Sequence, residues 1–307
     1  MISYYKTVNG RISKIDQYEE GCWLNCVSPE ENEVDYLISE FNIEPDFLRA
    51  ALDKEESSHI DYEDGNTIII LDSPVVEKSG KNFTYYTVPI SIMITKKNVI
   101  TVSLRENAVI DEFAEGLVRN VRTDFKTHFV LHIILRMASK YLQYLNQINR
   151  ISDRVETELK KSMKNQELIQ LLEIEKSLVY FSSSLKAISA TLEKIMRGRY
   201  IKLYEDDQEL LEDVKIEIKQ AMEMSEICLN ILTSTMDASA SIISNNLNIV
   251  MKILASITLI MSIPTIISGL YGMNVDLPFT EYPWLPWVAS VVSMIIAWVI
   301  LRRKDMI

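Results

Sequence analysis

Two charge-free apolar runs near the C-terminal end constrain this chain more than any other feature. Ile253 to Leu270 reads ILASITLIMSIPTIISGL and Trp284 to Leu301 reads WLPWVASVVSMIIAWVIL, with no Asp, Glu, Lys or Arg in either. A helix rises about 1.5 Å per residue and a bilayer's hydrocarbon core is about 30 Å thick, so each run is near the length of one membrane span. Lys252 precedes the first run, and Arg302, Arg303 and Lys304 follow the second. The segment between them carries the outer-loop acids Asp276 and Glu281 but no Lys or Arg. Cytoplasmic flanks collect positive charge, which predicts a multi-pass protein of the plasma (inner) membrane with both termini cytoplasmic and this loop outside. Trp284 and Trp287 then fall at the outer boundary and Trp298 nearer the inner one, as an aromatic belt requires. The opening residues Met1 to Lys6 hold no apolar core of signal-peptide length, consistent with a cytoplasmic start.

The first span is unusual for a lipid-facing helix. Pro264 removes one backbone donor from its interior. Ser256, Thr258, Ser262, Thr265 and Ser268 place hydroxyls at membrane depth, where they need partners or a water-filled lumen. Two spans cannot enclose a pore, so a channel built from this chain must be an oligomer with the first span on the axis.

Upstream, the chain reads as an α+β cytoplasmic domain. Asn66–Leu71, Thr84–Ile94 and Asn98–Ser103 are rich in β-branched residues and predict strands. Pro29–Asn42 and Pro45–Asp53 predict short helices. Asp124–Lys160 and Asn165–Arg197 predict an antiparallel helical hairpin. From Asp206 there is no Gly or Pro until Pro264, which predicts one helix running into the first span. Leu211, Val214, Ile218, Ala221, Ser225, Cys228 and Leu232 follow alternating steps of three and four, a seam for other helices or for copies of itself. The predicted segments are therefore 1–122, mixed α/β; 123–205, hairpin; 206–248, stalk helix; 249–274, first transmembrane helix; 275–283, outer loop; 284–301, second transmembrane helix; 302–307, basic tail.

Between Thr233 and Asn248 the stalk is dense in hydroxyls and amides, and Asp237 would form an acidic ring in a symmetric assembly. Small neutral oxygens can contact a hydrated cation without trapping it. A net charge of −11 suits cation handling and disfavours nucleic acid as a partner. The three cysteines, Cys22, Cys26 and Cys228, fit a reducing compartment, with Cys22 and Cys26 read as buried thiols in a short strand.

The first span ends in Tyr271-Gly272-Met273-Asn274, directly before the outer loop. Together with the stalk, the two C-terminal spans and the entry Asn248-Ile249-Val250-Met251-Lys252, this resembles the CorA family of magnesium and divalent-cation channels, whose signature is Gly-Met-Asn at that place. The resemblance implies a homopentameric funnel in membrane lipid that moves hydrated Mg2+ down its gradient, with Co2+ or Ni2+ as further cargo. It implies an ion entrance and selectivity site at Gly272, Met273 and Asn274. Magnesium gives up its inner waters reluctantly, so a ring of amide oxygens suits the hydrated ion. Asn248 matches an inner pore Asn; Met251 and Leu254 match an apolar constriction; Thr265 and Gly269 match outer pore positions; Asp237 matches a funnel acid. Lys252 and the tail residues Arg302, Arg303 and Lys304 match a basic girdle. Asp213 and Asp46 match acids of a regulatory Mg2+ site between subunits, where bridging by the ion would clamp the assembly shut. The loop departs from the frequent Met-Pro-Glu-Leu, reading Val275-Asp276-Leu277-Pro278.

Three other functions compete. A zinc-transporting branch shares the tripeptide, but the cysteines lie outside the pore segment and supply no soft path. A two-span sensor or anchor has no use for the tripeptide at the outer mouth. An enzyme would have to use His128 and His132 with Asp124 on one helical face, which lacks the Glu of HExxH; no enzyme activity is expected.

Overall fold

The computed structural model describes residues 1–79, 82–162, 165–273, 282–304 and 306. They fall into two units, Met1–Thr235 and Met236–Ile307.

The first unit is built on one seven-stranded sheet. Its strands are β1 (Ile2–Val8), β2 (Arg11–Ile15), β3 (Trp23–Val27), β4 (His59–Glu63), β5 (Asn66–Ser79), β6 (Asn82–Ile94) and β7 (Val99–Ser103). The order is β2-β1-β3-β7-β6-β5-β4. All neighbours are antiparallel except β3 and β7, which pair in parallel from Trp23 with Val99 to Val27 with Ser103. A parallel pair needs a crossover, and α1 (Glu31–Phe41), α2 (Pro45–Ala51) and β4 to β6 supply it.

Side chains alternate across the sheet, so its central strands feed two cores. Cys22, Leu24, Cys26, Ile68, Ile70, Ile100 and Val102 share one core with Leu37, Phe47 and Leu48 of α1 and α2. The alternate positions, Trp23 and Thr101 among them, face the long helices: the Trp23 indole N–H donates to Thr101 Oγ1 at 2.9 Å, and its ring meets Phe129 at 5.4 Å between centroids. Phe129 belongs to α4 (Lys126–Ser162), which together with α5 (Asn165–Met196) packs against β5 and β6. A short α3 (Ala108–Ala114) adds Phe113, whose ring lies 5.7 Å from Phe129.

Both Cys22 and Cys26 are buried free thiols, and burial pushes Cys26 up to about 12. Three short strands escape the sequence pattern. β1, β2 and β4 lie toward the sheet edges, where one half-exposed face leaves no strict alternation. The strand predicted to stop at Leu71 runs on through Pro74 to Ser79. β4 covers β5 only from Asn66 to Ile70, so from Leu71 that edge has no ladder partner and Pro74 costs no bond there.

One helix of 65 residues, α6 (Asp207–Tyr271), follows. Its part within the first unit buries Leu211, Val214, Ile218, Ala221, Ser225, Cys228 and Leu232. The partners are the chain's own helices. Ser225 Oγ donates to Leu178 O of α5 at 3.4 Å, and Ser139 of α4 donates to Glu217 at 3.0 Å. The second unit holds the rest of α6 and α7 (Leu285–Arg303). Both are long and apolar enough to cross a membrane.

Candidate ion-conduction site

The part of α6 beyond Thr235 carries a second seam. Starting at Asp237 and stepping four and three, it meets Ser241, Ser244, Asn248, Met251, Ala255, Thr258, Ser262, Thr265, Gly269 and Gly272. Steps averaging 3.5 residues set these positions on one stripe that winds slowly round the helix, by about 20° per heptad. Met251 is the one large apolar side chain on the seam, and Leu254 flanks it. Asp237, Asn248, Met251, Leu254, Thr265 and Gly269 are all exposed. Five of the six residues read from the sequence as pore-lining stand on this stripe, and Leu254 stands beside it.

Four of the five hydroxyls of that stripe have a fixed polarity. Ser241 Oγ donates to Asp237 O at 3.0 Å, Thr258 Oγ1 to Leu254 O at 2.8 Å, Ser262 Oγ to Leu259 O at 2.8 Å and Thr265 Oγ1 to Met261 O at 3.3 Å. Each proton is committed to the helix's own carbonyls. What remains outward is oxygen lone pairs, the acceptor that the waters of a hydrated cation need.

Ser256 behaves differently. It lies off the seam, is fully buried, and its hydroxyl donates to Met306 O at 3.2 Å. Sequence alone had grouped it with the other span hydroxyls. Ser268 is likewise off the seam.

At its C-terminal end Tyr271 closes α6, Gly272 donates its N–H to Ser268 O at 2.9 Å, and Met273 is exposed. Gly272 keeps a negative φ, so it is not there for a left-handed turn. A Cβ at this position would sit 3.1 Å from the Ser268 carbonyl, and the tight approach is what favours glycine. Gly269 has open space around the same point. Asn274, Asp276 and Glu281 lie outside the described residues.

Lys252, Arg302, Arg303 and Lys304 are exposed. Arg302 lies over the Trp298 ring at 5.1 Å, a cation–π contact of the kind that settles at a membrane boundary. Asp46, in the first turn of α2, binds Arg49 at 2.9 Å. Asp213 is exposed on α6. Among the described residues no three His, Cys, Asp or Glu side chains gather where one metal ion could be held. Within one chain neither acid belongs to a ready-made cage.

The histidine constellation also differs from its predicted form. Asp124 is engaged by Arg122, whose Nε donates at 3.1 Å. The carboxylate beside His128 is Asp207, far along the chain, with Oδ1 3.4 Å from Nδ1. Burial, and then the neighbouring His128, push His132 down to about 4 and keep it neutral.

A chain with an α/β unit, one long helix and two apolar spans, the first lined by small polar groups, is of the class of two-span membrane transport proteins. Residues 18–303 match the family model of the CorA-like Mg2+ transporter protein. The chain is 26% identical over 294 residues to the cobalt/magnesium transport protein CorA of Methanocaldococcus jannaschii, covering 93% of this chain and 91% of that one. It is 22% identical over 282 residues to that of Thermotoga maritima, covering 89% and 79%. The complete structure of the CorA magnesium transporter from Methanocaldococcus jannaschii superposes with a TM-score of 0.84 at 24% identity, covering 100% of this chain and 99% of that one. The full-length CmaX protein gives 0.72 at 15% identity, covering 99% and 97%. This chain belongs to the CorA-like Mg2+ transporter family, and it is a membrane protein.

Proposed function

We propose that this chain moves hydrated Mg2+ across the membrane through a homopentamer in which the Asp237–Gly272 seam of α6 lines the path. The observation that carries this reading is the seam itself. Four of its five hydroxyl protons are bonded inward, leaving oxygen lone pairs outward, and one large apolar residue, Met251, interrupts it with Leu254 alongside. That apolar step is the gate, closing by dewetting. The positive flanks support cytoplasmic termini, and on that reading ions enter at Asn274, pass Met251 and leave by Asn248 and Asp237. Co2+ travels the same way because the site selects a hydrated divalent ion by size and charge. The relatives named for cobalt and magnesium transport support that breadth.

Regulation is assigned to Asp213 and Asp46. Exposed carboxylates facing each other across a subunit boundary repel until a divalent cation bridges them, so internal Mg2+ holds the assembly closed.

The test is flux into liposomes loaded with a magnesium-sensitive dye. Wild type admits Mg2+ and Asn274→Ala admits far less. Absence of divalent flux in the wild type would sink the reading. Asp213→Ala is expected to weaken inhibition by internal Mg2+; unchanged inhibition rejects that residue as a sensor.

A further inference from the structure

Two imidazoles and a buried carboxylate meet where α6 begins, apart from the seam. His128 and His132 are four residues apart on α4, so their side chains lie on one face. Their Nε2 atoms are 3.1 Å apart. The ring centres are 4.6 Å apart with planes at 84°, and the two Nε2 atoms share a hydrogen bond whose direction depends on the tautomer. Asp207, the first residue of α6, is 3% exposed. Its Oδ1 lies 3.4 Å from His128 Nδ1 and its Oδ2 accepts the Tyr204 N–H at 3.0 Å. With the His128 proton on Nδ1, the side that Asp207 Oδ1 approaches, Nε2 carries the lone pair on the side of His132.

We propose that His128 and His132 bind one borderline transition-metal cation, Co2+, Ni2+ or Zn2+, through their Nε2 atoms, with Asp207 as the positioning residue behind His128. Two nitrogens about 2.0–2.1 Å from one ion lie about 2.9–3.4 Å apart at angles of about 90–110°, and this pair already does. Binding requires His132 to carry its one proton on Nδ1, a tautomer change with no net charge lost. A carboxylate on the far nitrogen of a metal-bound histidine is a recurrent support that orients the ring and raises its basicity. A cavity of about 470 Å³ adjoins the His128 side of the pair, lined by His128 with Asp124, Lys126, Asp206 and Asp207. Mg2+ prefers oxygen ligands and does not compete for imidazole. Occupancy ties α4 to the first turn of α6, giving the chain a response to Co2+ that Mg2+ does not evoke.

The test uses the full-length protein in detergent with excess Mg2+ present throughout, titrated with Co2+ and followed by calorimetry and visible absorption. Wild type is expected to bind one Co2+ per chain with an imidazole ligand-field spectrum. His128→Gln and His132→Gln each lose that spectrum and weaken binding at least about tenfold, while Asp207→Asn keeps it and weakens binding about 10–100-fold. His128 is partly exposed, so its variant serves if the His132 variant does not fold. Displacement of all Co2+ by Mg2+, or wild-type binding in both histidine variants, overturns the proposal. The readout is binding, so its outcome is separate from whether the chain transports Mg2+.

Discussion

The two parts of α6 use the same arithmetic for opposite ends. In the first unit, positions three and four apart are apolar or small and are buried against α4 and α5, with Val214, Ala221 and Ser225 fully shielded. In the second unit, a seam with the same steps is small and polar, and it is exposed. Its large apolar neighbours are exposed as well: Ile257, Leu259, Met261 and Ile266 are each at least half accessible. Apolar surface on that scale is untenable in water and expected in lipid. A heptad seam therefore marks only that a face is used. Which residues stand on it decides whether it packs against protein, as the first seam does, or stays open, as the second does.

This contrast can be broken at specific positions. The largest effect is expected at Val214→Asp, which buries a carboxylate among apolar neighbours and should cost about 4 kcal/mol or more, leaving little folded protein in a thermal melt. Asn248→Asp, one residue type apart on the exposed seam, should change the melting free energy by less than about 0.5 kcal/mol. Next is Thr258→Trp, which fills the seam and should cut Mg2+ flux into liposomes at least about tenfold, whereas Met261→Trp, off the seam, should not. Equal loss in both would mean that the seam is not the path.

A smaller effect belongs to Glu112, which ties α3 to α4 through Lys140 at 2.7 Å and through Arg136. Burial raises its carboxyl, but the hydrogen bonds from Lys140 and Arg136 outweigh this and leave it below the ordinary 4.5. The unfolded chain regains the ordinary value and binds the proton first as pH falls. The stability from this group is thus full above about 4.5 and is lost as pH drops through the lower folded value. Glu112→Gln should flatten that acid-side loss in melts between neutral and acidic pH. Smallest is Gly272→Ala, where the Ser268 carbonyl must give by a few tenths of an ångström; a cost under about 1 kcal/mol and a modest loss of flux are expected.

Much of this was legible from residue order. Charge-free runs, flanking Lys and Arg, and a stretch from Asp206 without Gly or Pro are local signals, and they mark the long helix and both spans. The strands with strong β-branched content were equally plain. What escaped depends on distance along the chain. β4, with the sequence HIDYE, gains its place only by pairing with β5. Asp207 joins His128 because α6 starts beside α4, and no spacing rule links positions so far apart. Ser256 looked like its fellow hydroxyls until Met306 was found to accept its proton. The seam from Asp237 to Gly272 was present in the sequence but concealed by the Ile and Leu between its members.

The three native cysteines are buried, which makes the decisive measurement practical. Single cysteines placed one at a time from Thr258 to Gly269 can be exposed to a water-soluble thiol reagent while Mg2+ flux is followed in liposomes. Block is predicted at Thr258, Ser262, Thr265 and Gly269, in steps of four and three, with none at the positions between. Uniform reactivity, or a block confined to the opposite face at Ile260, Ile263 and Ile267, would contradict the account.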